Sequence, residues 1–219
     1  GEGKYVYSDF SMIIAKRLFE DLSGKNIEDF LKEKYYDPMG LSTMGYLPRK
    51  RFSIDLIPPT EMDDNFRDAL IWGDVHDPTS AMLGGVSGHA GLFSNANDLA
   101  ILMQMLLHNG QYAGKRYLKA ETVKEFTRQQ FPKVSNRRGL GFDKPEPDSE
   151  KSSPVSKQCS LETFGHTGFT GTCVWVDPQE QLIYIFLSNR VYPNAENNQL
   201  VKMNIRTDLQ EVIYKALPK

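Results

Sequence analysis

The chain has 219 residues, 40% of them hydrophobic and 25% charged, enough apolar material for the core of one globular domain or most of one. Its formal charge is −2, from 26 basic and 28 acidic side chains without long runs of one sign, which argues against nucleic acid or an anionic membrane surface and suits a small neutral or zwitterionic ligand. No apolar stretch approaches the roughly 20 residues that span a bilayer, and Gly1-Glu2-Gly3-Lys4 opens without a signal-peptide core, so the sequence reads as a soluble chain with no membrane span.

Residues 8–22 carry Ile13, Ile14, Ala15, Leu18, Phe19 and Leu22 at helical spacing, predicting a helix with one apolar face. Ser8 or Asp9 suits its N-cap, and Gly24 stands just past its end. Asn26 caps a second short helix running to about Tyr35. Between Asp37 and Ala81, Pro38, Pro48, Pro58, Pro59 and Pro78 with Gly40, Gly45 and Gly73 predict sparse regular structure, a surface excursion of the kind that walls a site.

Gly84, Gly85, Gly88 and Gly91 form a glycine-rich turn leading to Asn97, the expected cap of a helix that ends near Asn109-Gly110. A further helix is expected over 120–130. The polar segment 143–157, with Pro145, Pro147, Pro154 and several serines, reads as a flexible loop. Three strand-like runs follow at 161–166, 172–177 and 181–188, the last two joined by the turn Asp177-Pro178-Gln179-Glu180. Residues 198–217 place Val201, Ile205, Leu209, Val212, Ile213 and Ala216 on one helical stripe. Helices, then a small antiparallel sheet, then a closing helix give an α+β fold class with one sheet layer.

Two short motifs put polar groups at element ends. Tyr7-Ser8-Asp9 stands at a helix start, where the positive local field favours a phenolate that can accept a proton; an ordinary packed or surface tyrosine is the other reading. His166-Thr167-Gly168 ends a strand, with Gly165 and Gly168 permitting close approach of a ligand and the Phe169 N–H able to point into a cleft; a histidine that simply hydrogen-bonds a nearby loop is the alternative. His76-Asp77 and Ser87-Gly88-His89 each set a loop histidine beside a polar partner, making His76 and His89 candidate substrate contacts.

Neither His-x-x-x-His nor Cys-x-x-Cys occurs and no phosphate-binding glycine motif is complete, so no metal or cofactor is expected. Cys159 and Cys173 read as packed or free thiols. The segment Gly85-Val86-Ser87-Gly88-His89 misses the nucleophile-elbow pattern by one residue, so Ser87 is not read as a nucleophile.

Four stretches, taken in order, carry a resemblance. Tyr7-Ser8-Asp9 and the helix after it look like a Tyr-x-Asn motif, and Tyr36-Asp37-Pro38-Met39-Gly40-Leu41 like a proline, leucine or methionine, glycine turn. Gly85-Val86-Ser87-Gly88-His89-Ala90-Gly91-Leu92-Phe93-Ser94 with Asn97-Asp98-Leu99-Ala100 is similar to a glycine-rich turn and helix start. Phe164-Gly165-His166-Thr167-Gly168-Phe169-Thr170-Gly171 resembles a Lys-Thr-Gly strand in its His-Thr-Gly form, with its following hairpin from Asp177-Pro178 to Asn189-Arg190. Together they resemble the serine β-lactamase and penicillin-binding superfamily, most nearly its class C β-lactamase, D-Ala-D-Ala carboxypeptidase and esterase branch.

The resemblance implies a β-lactamase/transpeptidase-like fold, with residues 1–219 as the C-terminal part of one domain: a helical part over about 1–140, and the three-stranded sheet with its closing helix over about 158–219. It implies catalysis by a serine in Ser-x-x-Lys that forms an acyl-enzyme. By carry-over, Tyr7 is the general base or proton shuttle, and Asp9 takes the place of the asparagine that positions substrate and lysine. His166, Thr167 and Gly168 line the third motif, and the Phe169 N–H is one of two oxyanion-hole donors.

No Ser, Thr or Cys is followed by Lys three residues later, and in the family that motif lies upstream of the tyrosine motif. The chain is therefore expected to be a partial domain lacking its nucleophile and inactive alone. Its complete form would hydrolyse a peptidoglycan-like peptide, a β-lactam or an ester in the periplasm or cell envelope. Asp9 for Asn and His166 for Lys shift the expected specificity from carboxylate-reading β-lactamases toward esterases, amidases or peptidases. The alternative is a noncatalytic ligand-binding or structural domain, possibly fused to a glycoside hydrolase. The 181–188 strand is expected to have an open edge and to promote self-association.

Overall fold

The structure, a computed structural model, describes residues 5–133 and 136–218. The chain divides into two compact units: Val6–Leu99 with Val191–Asn197, and Ala100–Arg190 with Tyr5 and 198–218.

In the first unit, helix α1 (Phe10–Ser23) stops where expected: Gly24 turns left-handed at φ 66° and donates its N–H to the Glu20 carbonyl at 3.0 Å. Which flank is buried differs from the expectation. Phe10, Ile14, Leu18 and Leu22 are all more than half exposed, whereas Ile13, Lys16, Phe19 and Glu20 are half-buried. The polar neighbours decide this. Glu20 pairs with Lys16 at 2.9 Å and accepts the Ile27 N–H at 3.0 Å, drawing that flank against the next helix, where Phe19 meets Phe30 edge-on at 4.8 Å.

Helix α2 (Ile27–Leu31) begins at Asn26, whose side chain accepts the Asp29 N–H at 2.8 Å. It runs on through a π-helical turn, Lys32–Tyr36, into α3 (Asp37–Met39), which closes on left-handed Gly40. The proline-rich excursion holds more regular structure than expected: a hairpin of β1 (Pro59–Asp63) and β2 (Ala69–Trp72), then α4 (Pro78–Met82). The buried Asp63 carboxylate forms the hairpin turn by accepting the N–H groups of Asn65, Phe66 and Arg67, a device that a search for glycine and proline does not detect. Residues Val191–Asn197 return to this hairpin, where the Met62 N–H meets the Pro193 carbonyl at 2.9 Å and the Ala195 N–H meets Glu61 at 2.8 Å.

Helix α5 (Ala96–Leu107) starts in the first unit and continues in the second. Its cap is Asn95, which accepts the Asp98 N–H at 2.8 Å, two residues before the expected Asn97. Asp98 is then placed to accept the Thr43 N–H and hydroxyl, both at 2.7 Å, and the Met44 N–H at 3.1 Å.

The second unit adds the two-residue strands β3 (Gln111–Tyr112) and β4 (Lys115–Arg116), then α6 (Ala120–Thr127), which ends three residues early because Arg128 is extended. The three expected sheet strands are β5 (Phe164–Thr167), β6 (Cys173–Asp177) and β7 (Leu182–Phe186), antiparallel in the order β5-β6-β7. Strand alternation sends Val174 and Val176 to one face, with Met103, Leu107 and Phe164, and Cys173 and Trp175 to the other, with Val155 and Tyr184. The fold is therefore α+β, an antiparallel sheet packed with helices.

Asp177 closes the β6–β7 turn. Burial opposes its ionisation, but hydrogen bonds from the Ser160 hydroxyl and N–H, the Tyr214 hydroxyl and the Glu180 N–H hold its carboxyl below the usual carboxylate range. The closing helix is interrupted: α7 (Gln199–Lys202) and α8 (Ile205–Ala216) are separated at left-handed Asn204, φ 51°. The segment expected to be a flexible loop has both ends built into the protein. Asp143, Lys144, Val155 and Ser156 are buried; the Lys144 ammonium donates to the Glu162 and Thr163 carbonyls, and the Ser156 N–H donates to Gln210 at 3.0 Å. Among the described residues no helix is long and apolar enough to cross a membrane.

Gly88 is glycine because α1 passes directly over it: a Cβ there would overlap the Met12 carbonyl oxygen. Gly88→Ala is expected to cost about 2–3 kcal/mol of stability by overpacking against rigid backbone. Gly24→Ala, left-handed but open to solvent, should cost about 1 kcal/mol. Urea midpoints of the two variants test this; equal losses would contradict it.

Candidate functional site

The first unit carries Tyr7 and Asp9 at the start of α1, both exposed, and holds the glycine-rich turn against the same helix at Gly88. Within that turn the His89 ring lies between two oxygens. Its Nδ1 is 2.9 Å from the Ser87 hydroxyl and its Nε2 2.8 Å from Asp77, which also accepts the Ser80 N–H at 2.6 Å as the cap of α4. Burial opposes ionisation of Asp77, but the Ser80 N–H and the His89 ring hold its carboxyl below the usual range.

This connectivity is that of a Ser-His-Asp relay, in which a histidine oriented by a carboxylate takes a serine's proton. Accessibility decides against that use. Ser87 is 1% exposed, the His89 side chain is 4% exposed, and the Ser87 carbonyl accepts the Tyr46 hydroxyl at 3.1 Å. The chain of hydrogen bonds fastens the turn and presents no reachable hydroxyl. His76 is tied in similarly: its Nε2 lies 2.5 Å from Glu61, and its carbonyl accepts from Arg67 at 3.2 Å.

The second unit carries His166, Thr167, Gly168 and Phe169 at the end of β5 and just beyond it. Gly165 has no room for a side chain, since a Cβ would overlap the Val174 carbonyl and press on Trp175. On its other side Gly165 exchanges two backbone hydrogen bonds with Asp143, at 2.7 and 3.1 Å. Gly168 donates to the Thr172 carbonyl at 2.8 Å, and a Cβ there would overlap the Thr172 hydroxyl. The Phe169 carbonyl accepts from the Arg190 Nε at 3.0 Å while the same guanidinium lies 4.6 Å from the Phe169 ring, which is itself exposed.

His166 Nε2 is 2.7 Å from Arg138 Nη1, and its Nδ1 is 2.7 Å from the Thr167 carbonyl. Arg138 also pairs with Asp143 at 3.2 Å, and Arg137 binds Asp143 through two hydrogen bonds of 2.8 and 2.9 Å.

Tyr7, Asp9, His76 and His89 thus belong to the first unit, and His166, Thr167, Gly168 and Phe169 to the second. The sequence reading missed Arg138, Asp143 and Glu61, each joined to its histidine or glycine partner by tertiary contact alone. Among the described residues no group of three or more His, Cys, Asp or Glu side chains is placed to hold a metal ion. Cys159 and Cys173 are free thiols, both pushed up to about 11 by burial and so poor nucleophiles.

The sequence pattern of the Beta-lactamase family matches residues 2–202. A protein of Escherichia coli strain K12, provisionally named D-alanyl-D-alanine carboxypeptidase, is 36% identical over 208 residues, which are 90% of this chain and 47% of that protein. A protein of the same provisional name from Salmonella gallinarum is 34% identical over 206 residues, 89% of this chain and 47% of its own length. The chain spans about half the length of these curated relatives. Among solved structures, a beta-lactamase from Mycobacterium bovis superposes with a TM-score of 0.65 at 19% identity, covering 96% of this chain and 64% of its own. A penicillin-binding protein homolog from Caulobacter crescentus gives 0.58 at 21% identity, covering 86% and 53%.

Asp77→Ala removes a helix cap and the carboxylate partner of a buried imidazole, and is expected to cost about 2–3 kcal/mol at pH 7. Because the folded carboxyl ionises below its unfolded value of about 3.9, its contribution is complete above that pH and is lost as pH falls through the lowered folded value. The stability gap between the unaltered chain and the variant should therefore narrow only below about pH 4. Urea unfolding across pH 7 to 2.5 measures it; a gap that stays constant contradicts the assignment.

Proposed function

Because this chain belongs to the beta-lactamase family, we propose that it forms part of a serine hydrolase domain that works through an acyl-enzyme. The observation that carries this reading is the family match over residues 2–202, which includes the ordered strand end Phe164–Thr167 and its glycine-bound turn. In this reading Tyr7 accepts the proton of the attacking serine, Asp9 helps to hold substrate, and Thr167, Gly168 and the Phe169 N–H form the wall and one arm of the oxyanion hole. His166 lines the same motif, and His76 and His89 shape the substrate side of the first unit.

The chain contains no Ser-x-x-Lys, so this reading places the nucleophile in sequence outside it and makes the chain inactive alone, the C-terminal part of one domain over 1–219. The relatives' provisional name favours a peptidoglycan-like peptide, with β-lactams and esters as other acyl donors, and a location in the cell envelope.

The test is covalent labelling. A fluorescent penicillin or fluorophosphonate should leave this chain unlabelled and should label a longer form that carries Ser-x-x-Lys. In that longer form Tyr7→Phe should slow acylation by about 10²–10⁴-fold. Labelling of this chain at Ser87 overturns the placement of the nucleophile outside it; a longer form with Ser-x-x-Lys that never labels rejects the enzyme reading and favours a noncatalytic binding domain.

We further propose that this chain self-associates through its sheet. Among the described residues β7 pairs with β6 alone, and an unpaired strand edge is a template for another chain. Sedimentation over a dilution series should show a reversible dimer or larger species, and a monodisperse monomer at every concentration refutes this.

A further inference from the structure

Hydrogen-bond partners fix the protonation of the His166 ring. A guanidinium has N–H donors and no acceptor, so the Nε2 that lies 2.7 Å from Arg138 must offer a lone pair. A carbonyl oxygen only accepts, so the Nδ1 that lies 2.7 Å from the Thr167 carbonyl must carry the proton. A doubly protonated ring would bring two N–H groups and two positive charges together at that 2.7 Å contact.

We propose that Arg138 is a positioning residue that fixes His166 as the neutral Nδ1–H imidazole and sets a guanidinium beside the strand position where the family's Lys-Thr-Gly motif carries a lysine. The role assigned to the strand rests on the function proposed above; the tautomer assignment does not.

The surroundings explain how Arg138 can do this. Its delivery depends on Asp143, which is 3% exposed and hydrogen-bonded through its backbone to Gly165, one residue before His166. Arg137 takes the two-point contact with Asp143 and lies 3.6 Å from Glu146, so Arg138 shares one carboxylate oxygen at 3.2 Å and keeps Nη1 for the imidazole. The Tyr5 ring lies 5.8 Å from the Arg138 guanidinium. With Nε2 accepting and Nδ1 held by the adjacent carbonyl, His166 orients the strand end. Proton transfer falls to Tyr7 in the proposed reaction.

The test is the nitrogen spectrum of the imidazole in the uniformly ¹⁵N-labelled chain at neutral pH, with His166 among the four histidines assigned by its disappearance in His166→Gln. Nδ1 should resonate in the protonated range and Nε2 in the unprotonated range. In Arg138→Ala the Nε2 signal should shift within the unprotonated range as it loses its donor, and in Arg138→Lys, where an ammonium still donates, it should stay. A protonated Nε2 in the unaltered chain, or an unchanged pattern in Arg138→Ala, overturns the proposal. The unaltered chain's spectrum decides even where a variant does not fold. Failure of acylation in a longer form would reject the enzyme reading and leave this spectrum as it is, so the two outcomes are separable.

Discussion

The second unit depends on one buried carboxylate. Asp143 lies outside the first sheet strand, yet its backbone extends the sheet by one bridge at Gly165, and its side chain gathers Arg137 and Arg138. An unpaired carboxylate at such a depth would be strongly unfavourable; two guanidinium groups and the Lys144 N–H at 2.9 Å compensate it. Gly165 is caught between Asp143 and Trp175, so the backbone just before His166 is held from both sides. The position of the imidazole follows from this packing.

The same device recurs. Asp63, Asp98, Asp143 and Asp177 are all buried, and each accepts backbone N–H groups or holds a loop to a strand or helix. These aspartates fasten turns where many proteins rely on glycine or proline geometry alone. Around them the sheet alternates cleanly, with valines on one face and Cys173 and Trp175 on the other, so apolar contact supplies the bulk of the driving force and the carboxylates fix the connections.

What could be read in the sequence follows the range of the forces involved. The start and stop of α1, the Asn26 cap, and the last two sheet strands with their turn at Asp177 rest on signals within a few residues and stand close to where they were expected, whereas β5 begins three residues later than the expected 161–166 run. The β1–β2 hairpin was hidden because Asp63 turns it while the neighbouring Pro58 and Pro59 read as a break. The buried flank of α1 was misjudged because Glu20, a charged residue, is the one that meets the next helix. Asn204 broke the closing helix without a glycine to announce it. Of the site, His166 and its glycines were visible as a motif, whereas Arg138 lies 28 residues away and arrives only through the Asp143 bridge.

The path of the chain also constrains how the protein can be made. The first unit is completed by Val191–Asn197, whose Ala195 bonds to Glu61 across 134 residues of sequence. A ribosome delivers the whole sheet of the second unit before that last piece appears, so strict folding from the N-terminus onward cannot finish the first unit first. Until then the hairpin waits with Glu61 and Met62 lacking these partners, and so distant a closure is the slow kind of folding step. A nascent chain stalled shortly before residue 191 would therefore offer an unfinished hairpin to chaperones and proteases, although most of its sequence is already outside the tunnel.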